Sequence, residues 1–298
     1  MTTSRWLIAV MGPTASGKTD LAEQIADQTG AQLINADAFQ MYRGMDIGTG
    51  KPERARDYRL IDILDPSENY GAGQFVREAA EILHSLDETA QPAVIVGGTG
   101  FYIRALTEGF TEMAGPPSDE SRARVDAIEA EGGLPSLLAE LDRRAPETKL
   151  DRMNPVRVRR ALLKLDAEPM PAVALPPIRI VKVALVPDID LNDQRIAHRV
   201  QKMVQNGWIE EVERLKRAGY LPSDPGFRAI GYPEWWKVLA GEMKADEAVE
   251  RITVATRQYA KRQRTWLRSE PNLTVLGSAI GGEALARHVV EEMLRKEK

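Results

Sequence analysis

The chain has 298 residues, with 40 Lys+Arg against 44 Asp+Glu and a net charge of -4. At about 150 residues per domain, that length allows roughly two domains and a core that needs no covalent staples. The absence of cysteine excludes disulfides, thiolate zinc sites, iron–sulfur clusters and cysteine nucleophiles, and the scattered His84, His198 and His288 offer no histidine metal site. The charge excludes a uniformly basic coat but leaves room for a local basic groove.

No stretch approaches 18 consecutive apolar residues and the N-terminus lacks a signal layout, so a cytoplasmic protein away from membranes is expected. Short apolar runs at 6–11, 32–35, 60–64, 93–96, 178–186 and 273–276 predict buried strands. Runs such as AVIVGG are apolar throughout rather than alternating, as in a parallel sheet covered on both faces. Helical patterns separate them at 18–28 (Leu21, Ala22, Ile25) and 74–86 (Phe75, Ala79, Ile82, Leu83, Leu86). The alternation predicts an α/β, doubly wound core. Between Pro116 and Pro177 the pattern is helical, with proline-rich borders. The predicted organisation is a core in two parts, 1–116 and 178–298, interrupted by a helical insertion at 117–177. In the second part, Asn192 or Asp193 is expected to cap a helix bearing Ile196, Val200, Met203 and Val204, and another helix covers about 246–267. Trp6, Trp208, Trp235 and Trp236 read as anchors, and Met41 and Met45 as gap fillers.

Gly12-Pro13-Thr14-Ala15-Ser16-Gly17-Lys18-Thr19 matches G-x-x-x-x-G-K-[ST] between a strand and a helix, the context a phosphate loop requires. Its backbone N–H groups turn towards phosphate oxygens, Lys18 adds a point charge, and the helix N-terminus adds its dipole. The Thr19 hydroxyl is placed to ligate Mg²⁺. Nucleotide-splitting P-loop enzymes also carry a strand ending in aspartate, but the run at 93–96 ends in Gly97-Gly98-Thr99-Gly100. Asp62 and Asp65 leave a metal carboxylate open. The balance favours chemistry in which a bound diphosphate leaves carbon, with a P-loop small-molecule or nucleoside kinase as the alternative.

Asp37 follows the strand at 32–35 and projects from the carboxyl edge of the sheet, where ligands of open α/β sheets bind. It is a candidate general base, and the competing reading is a turn cap. Gln40 offers amide donors and an acceptor to a base edge.

The blocks GPTASGKT, INADAFQMYRGMDIGTGKP, LIDILDPSENYGAGQF, VGGTGFY, NPVRVRRAL, FRAIGYPEWW and TRQYAKRQRTWLR occur in this order from Gly12 to Arg268. Together they resemble the tRNA dimethylallyltransferases, in their bacterial form. The resemblance implies a P-loop NTPase-like core and transfer of a dimethylallyl group from dimethylallyl diphosphate. The implied acceptor is N6 of the adenosine 3′ of the anticodon, in tRNAs reading codons that begin with U. Mg²⁺ is the implied cofactor. It further implies Asp37 as the base, Thr99 beside the adenine, and Arg228 with the loop, including Thr14, on the diphosphate. The implied tRNA contacts are Asp37, Ala38, Phe39, Gln40, Thr99, Arg122, Val156, Arg157, Val158, Arg159 and Arg160. A flipped-out adenosine and the diphosphate would enter one channel from opposite ends, on a monomer. Two positions depart from the family pattern: Ala38 replaces the usual serine and Arg59 the usual histidine.

Two windows carry bases without acids: Arg152, Arg157, Arg159, Arg160 and Lys164, then Arg257, Lys261, Arg262, Arg264 and Arg268. Arg257, Lys261, Arg264 and Arg268 share a helix face, with Tyr259 and Trp266 in the same window. Such a stripe suits an RNA backbone with an aromatic for stacking, although a solvated helix face has the same signature.

Overall fold

The structure is a computed structural model describing residues 5–109, 115, 117–168, 173–276 and 282–295. The chain divides into two compact units, Met1–Glu108 with Leu175–Lys298, and Gly109–Ala174.

The first unit is built on a six-stranded sheet in the order β3-β2-β4-β1-β5-β6, every pairing parallel. The strands are β1 (Trp6–Met11), β2 (Gln32–Asn35), β3 (Tyr58–Arg59), β4 (Ala93–Val96), β5 (Arg179–Leu185) and β6 (Leu273–Leu276). β1 is central, with Ile8 opposite Val94 on one side and Val181 on the other. Leu7, Ile8, Ala9 and Val10 are all fully buried, as a strand covered on both faces requires. Ile8 and Val10 cluster with Leu21 and Ile25 of α1 (Lys18–Thr29) and with Leu285 and Val289 of α10 (Gly282–Arg295). α2 (Ala72–Glu88) and α3 (Gly100–Thr107) stack Phe75 on Tyr102, ring centroids 4.7 Å apart. Four helices follow β5: α6 (Ile189–Gln205), α7 (Trp208–Arg217), α8 (Tyr232–Leu239) and α9 (Ala245–Leu267).

Two local expectations fail. Residues 60–64 do not form the third strand; Leu60 (φ 63°) and Asp62 (φ 56°) are left-handed, and only Leu64 bridges Tyr42. The sheet instead pairs Tyr58–Arg59 with Leu33 and Ile34. Nor does Asn192 or Asp193 cap α6, which starts after Asp188; Asn192 lies inside the helix, fully buried. A polar residue so close to the helix start reads as a cap in sequence, but this one serves a tertiary contact.

The second unit holds α4 (Asp119–Arg144), capped by Ser118, and α5 (Pro155–Leu165), capped by Asn154. α4 breaks at Gly132 and Gly133 (φ 63°), two residues before Pro135. Val125, Leu137 and Leu141 of α4 enclose Val158 and Leu162 of α5. Among the described residues, no helix is long and apolar enough to cross a membrane.

Candidate active site

β2, β4 and β1 are neighbours in the sheet, so the loops leaving their carboxyl ends converge. They carry Asp37, then Gly97-Gly98-Thr99, then the phosphate loop. The first two interlock. Ala36 N–H donates to Val96 O at 2.8 Å, Thr99 N–H to Ala36 O at 3.3 Å, and Ala38 N–H to Thr99 Oγ1 at 3.1 Å. A Cβ at Gly97 would lie 2.2 Å from Ala36 backbone atoms, so only glycine allows this crossing.

Asp37 is held from below by Asn35, a buried residue at the end of β2. Asp37 Oδ1 accepts the Phe39 N–H at 3.1 Å, so the turn-capping role exists. Oδ2 faces Gly98, 3.4 Å from where a Cβ there would stand, and Asp37 lines the adjoining cavity. One carboxylate oxygen caps; the other is presented.

The phosphate loop turns through left-handed Ala15 (φ 61°) and Gly17 (φ 93°), which aims successive N–H groups inward. Three side chains from α6 and α9 fix Thr14. Gln263 Oε1 accepts its N–H at 2.8 Å, Asn192 Nδ2 donates to its carbonyl at 2.9 Å, and Arg199 Nη1 approaches its hydroxyl at 3.5 Å. Gln263 Nε2 also donates to Gly98 O at 2.9 Å, tying this loop to the one beside Asp37.

Thr14, Lys18, Thr19, Asp37 and Arg228 line one cavity of about 290 Å³. Beyond the phosphate loop lies an open groove of about 1020 Å³. Lys18, Thr19, Gly50, Pro52, Arg199 and Met203 line both and form the neck between them. Burial, and then the Arg199 charge, push the Lys18 ammonium down to about 8, with Asp37 pulling the other way. Burial and the Asp37 charge raise the Tyr259 phenol, keeping it a neutral hydrogen-bonding group on the cavity wall. The arrangement couples a cationic end, suited to a leaving anion, to a carboxylate that can accept a proton.

Other expected residues fall as follows. Arg228 ends a 3₁₀ turn (Pro225–Arg228) that packs by Gly226 against Met45 and Pro66. Gln40 spends Nε2 on the carbonyls of Thr49 (3.3 Å) and Gly50 (3.0 Å), so its donors are committed to the loop and its carbonyl oxygen is what remains for a base. Asp62 pairs with Lys51, and Asp65 accepts from Tyr220 and Ser67; neither lines the cavity. Met41 and Met45 are fully buried, as are Trp208 and Trp235.

The basic windows are less naked than they read. In the second unit, Arg152 meets Asp142 at 2.6 Å, and Arg159 meets Asp126 and Glu129. Val158 is buried in that unit's core, whereas Val156 is 71% exposed; Arg122, Arg157 and Arg160 are exposed. On α9, Lys261 is exposed, as is Arg268 just past its end; Arg257 lies 3.8 Å from Asp193, and Arg264 donates to Asn192 at 2.7 Å. Arg262, over the Tyr259 ring, lines the cavity instead.

Sequence reasoning missed Asn35, Arg199 and Gln263, and named Tyr259, which lines the cavity, only as an aromatic available for stacking. Asn35 had a usable signal, a polar residue closing an apolar strand. Arg199 did not, since it sits on an ordinary amphipathic helix.

The IPP transferase family model matches residues 40–270, and the isopentenyl transferase model matches residues 6–60. The tRNA dimethylallyltransferase of Geobacter metallireducens is 40% identical, covering 90% of this chain and 91% of that one. That of Thioalkalivibrio sulfidiphilus is also 40% identical, covering 90% and 89%. The crystal structure of the full-length tRNA isopentenylpyrophosphate transferase of Bacillus halodurans matches with TM-score 0.73 and 30% identity, over 98% of this chain and 97% of that chain. A eukaryotic dimethylallyltransferase acting on tRNA shares the fold at TM-score 0.79 and 22% identity, over 98% and 80%.

Proposed function

Since the chain belongs to the IPP transferase family, we propose that it transfers a dimethylallyl group from dimethylallyl diphosphate to N6 of the adenosine 3′-adjacent to the anticodon, in tRNAs reading codons that begin with U. The observation that carries this reading is the single cavity lined by Asp37, Lys18, Thr19 and Arg228. An exocyclic adenine amine is a weak nucleophile because its lone pair is conjugated into the ring. As the N6–carbon bond forms, Asp37 takes the N6 proton and the allylic C–O bond breaks, the electron pair leaving with diphosphate. General-base assistance of this kind is worth about 10²–10⁴-fold. Lys18, the loop amides and Arg228 stabilise the departing charge. The kinase alternative loses to the family match.

Mg²⁺ fits the neck. Thr19 is placed there beside Lys18, and this hard cation is commonly held by one or two side-chain oxygens together with substrate phosphates and water. Thr19 would hold it, and the ion would neutralise diphosphate charge.

The two cavities meeting at the neck support entry of adenosine from the Asp37 side and diphosphate from the groove side. A loop adenosine is cheaper to extrude than one in a duplex, so the anticodon stem–loop is the RNA element read. Thr99 and the segment Asp37, Ala38, Phe39 and Gln40 surround the base. Arg257 and Lys261, with Arg122, Val156, Arg157, Arg159 and Arg160 of the second unit, serve the backbone. The enzyme works as a monomer.

The test incubates protein, Mg²⁺ and unmodified tRNA with labelled dimethylallyl diphosphate or with labelled ATP. Label entering RNA only from ATP would refute transfer. Asp37→Ala should abolish nearly all turnover while leaving most of the RNA affinity.

A further inference from the structure

Buried charges elsewhere in the first unit meet opposite charges, as Lys182 does with Glu108 and Glu270. Glu211 of α7, 0% exposed, forms no ion pair among the described residues. Its carboxylate is wrapped instead by four donors. Oε2 accepts the N–H groups of Asp46 and Ile47, each at 2.7 Å; Oε1 accepts the Gly48 N–H at 3.1 Å and the Tyr232 hydroxyl at 2.7 Å. Three successive backbone N–H groups converging on one anion form a nest, here filled from inside the fold. Burial, then the Glu211 charge, hold the Tyr232 phenol well above its usual range, so it stays a donor. The four bonds offset the desolvation of the carboxylate, and an amide in its place would set an NH₂ against donors.

Glu211 lines neither cavity, but the loop it shapes borders both. Gly48, Thr49 and Gly50 line the cavity that holds Asp37, and Asp46, Ile47 and Gly50 line the groove. The loop is closely fitted: a Cβ at Gly48 would lie 2.0 Å from Trp208 Nε1. Directly after the nest, the carbonyls of Thr49 and Gly50 accept from Gln40 Nε2. Gln40 Oε1 has no partner among the described residues, and Gln40 lines the cavity with Asp37.

We propose that Glu211 is a positioning residue for the acceptor base: the buried anion holds residues 46–48, so that Thr49 and Gly50 fix the Gln40 amide with its carbonyl oxygen left to accept from the base. A base bearing an exocyclic amine meets that oxygen with a donor, whereas a keto group in the same place would meet it with a second acceptor. The identity of the base rests on the transfer reading; the link from Glu211 through the loop to Gln40 does not.

The test is a double-mutant cycle on the full chain with Glu211→Gln, Gln40→Met and the pair, read by transfer kinetics, tRNA Kd and calorimetry of inorganic diphosphate binding with Mg²⁺. Glu211→Gln should lower kcat/KM for tRNA at least tenfold and weaken tRNA binding about threefold, with diphosphate affinity within about twofold. Gln40→Met should give losses of similar size. The pair should be no more than about threefold worse than the poorer single variant, since both changes remove one interaction. Losses that multiply in the pair would overturn the proposal, and so would diphosphate affinity falling in step with kcat/KM, which marks a general collapse of the neck. Tyr232→Phe removes one bond to Glu211 and should show a smaller loss of the same pattern; it takes the place of Glu211→Gln in the cycle if that variant does not fold. If wild type prenylates no tRNA, the transfer reading fails, and the tRNA Kd values of the same variants still decide the role of Glu211.

Discussion

Asn35 grips the backbone of Asp37 from both sides: its Oδ1 accepts the Asp37 N–H at 2.9 Å, and its Nδ2 donates to the Asp37 carbonyl at 3.1 Å. The same Nδ2 donates to Leu60 O at 2.9 Å, so one buried amide binds Asp37 to the turn that replaces the expected third strand. Removing it leaves buried backbone groups without partners, at about 1–3 kcal/mol each. Asn35→Ala should therefore lower Tm and also reduce kcat at least tenfold, since Asp37 loses its anchor. Thermal melts and single-turnover transfer read the two effects separately. Normal kcat at a lowered Tm would mean that the Phe39 N–H alone places Asp37.

Gln263 couples the phosphate loop to the loop beside Asp37, and its amide ends can be tested one at a time. Gln263→Glu keeps an acceptor for Thr14 N–H but sets a carboxylate against Gly98 O, where a donor stood. Gln263→Met loses both bonds. The first variant should reduce kcat about tenfold with little change in diphosphate affinity; the second should impair both. Equal kinetic defects in the two variants would show that the clamp does not act end by end.

The sheet was legible because its strands are short, mostly apolar runs, and five of the six runs stand close to where the pattern put them. The phosphate loop and Asp37 were legible because their neighbours in sequence, a strand on one side and a helix or turn on the other, fix their direction. Gln263, Asn192 and Arg199 were not, since each acts across a separation of more than 170 residues. In sequence they are polar positions on amphipathic helices, identical to solvated ones. The acidic neighbours of the charge windows were hidden for the same reason: Asp126, Asp142 and Asp193 answer Arg159, Arg152 and Arg257 from other segments.

The α9 bases should separate by function. Arg257 and Lys261 are exposed, so neutralising either should weaken tRNA binding and lower the slope of log affinity against log salt by about 0.7–0.9. Arg264 supports Asn192, which holds Thr14. Arg264→Gln should therefore raise the KM for dimethylallyl diphosphate and leave the salt slope unchanged. A slope change for Arg264→Gln equal to that for Lys261→Gln would return Arg264 to the RNA face.

In the second unit, Asp166 gathers Arg144, Arg124 and Ser121, and hydrogen bonding to Arg144 leads in holding its carboxyl well below the usual carboxylate range. Its pKa is depressed in the folded chain, so its stabilisation is complete above the unfolded value of about 4 and is lost as pH falls towards the folded one. The contacts join α4 to the end of α5, so their loss is a local event. Hydrogen exchange of the full-length protein should show α4 and α5 amides losing protection as pH drops below about 4, relative to β1. Asp166→Asn should reproduce that loss at pH 7, at about 1.5–3 kcal/mol, the worth of hydrogen bonds to a charged group. Protection in Asp166→Asn equal to wild type at pH 7 would show that the apolar contacts of Val125, Leu141 and Val158 hold the unit without it.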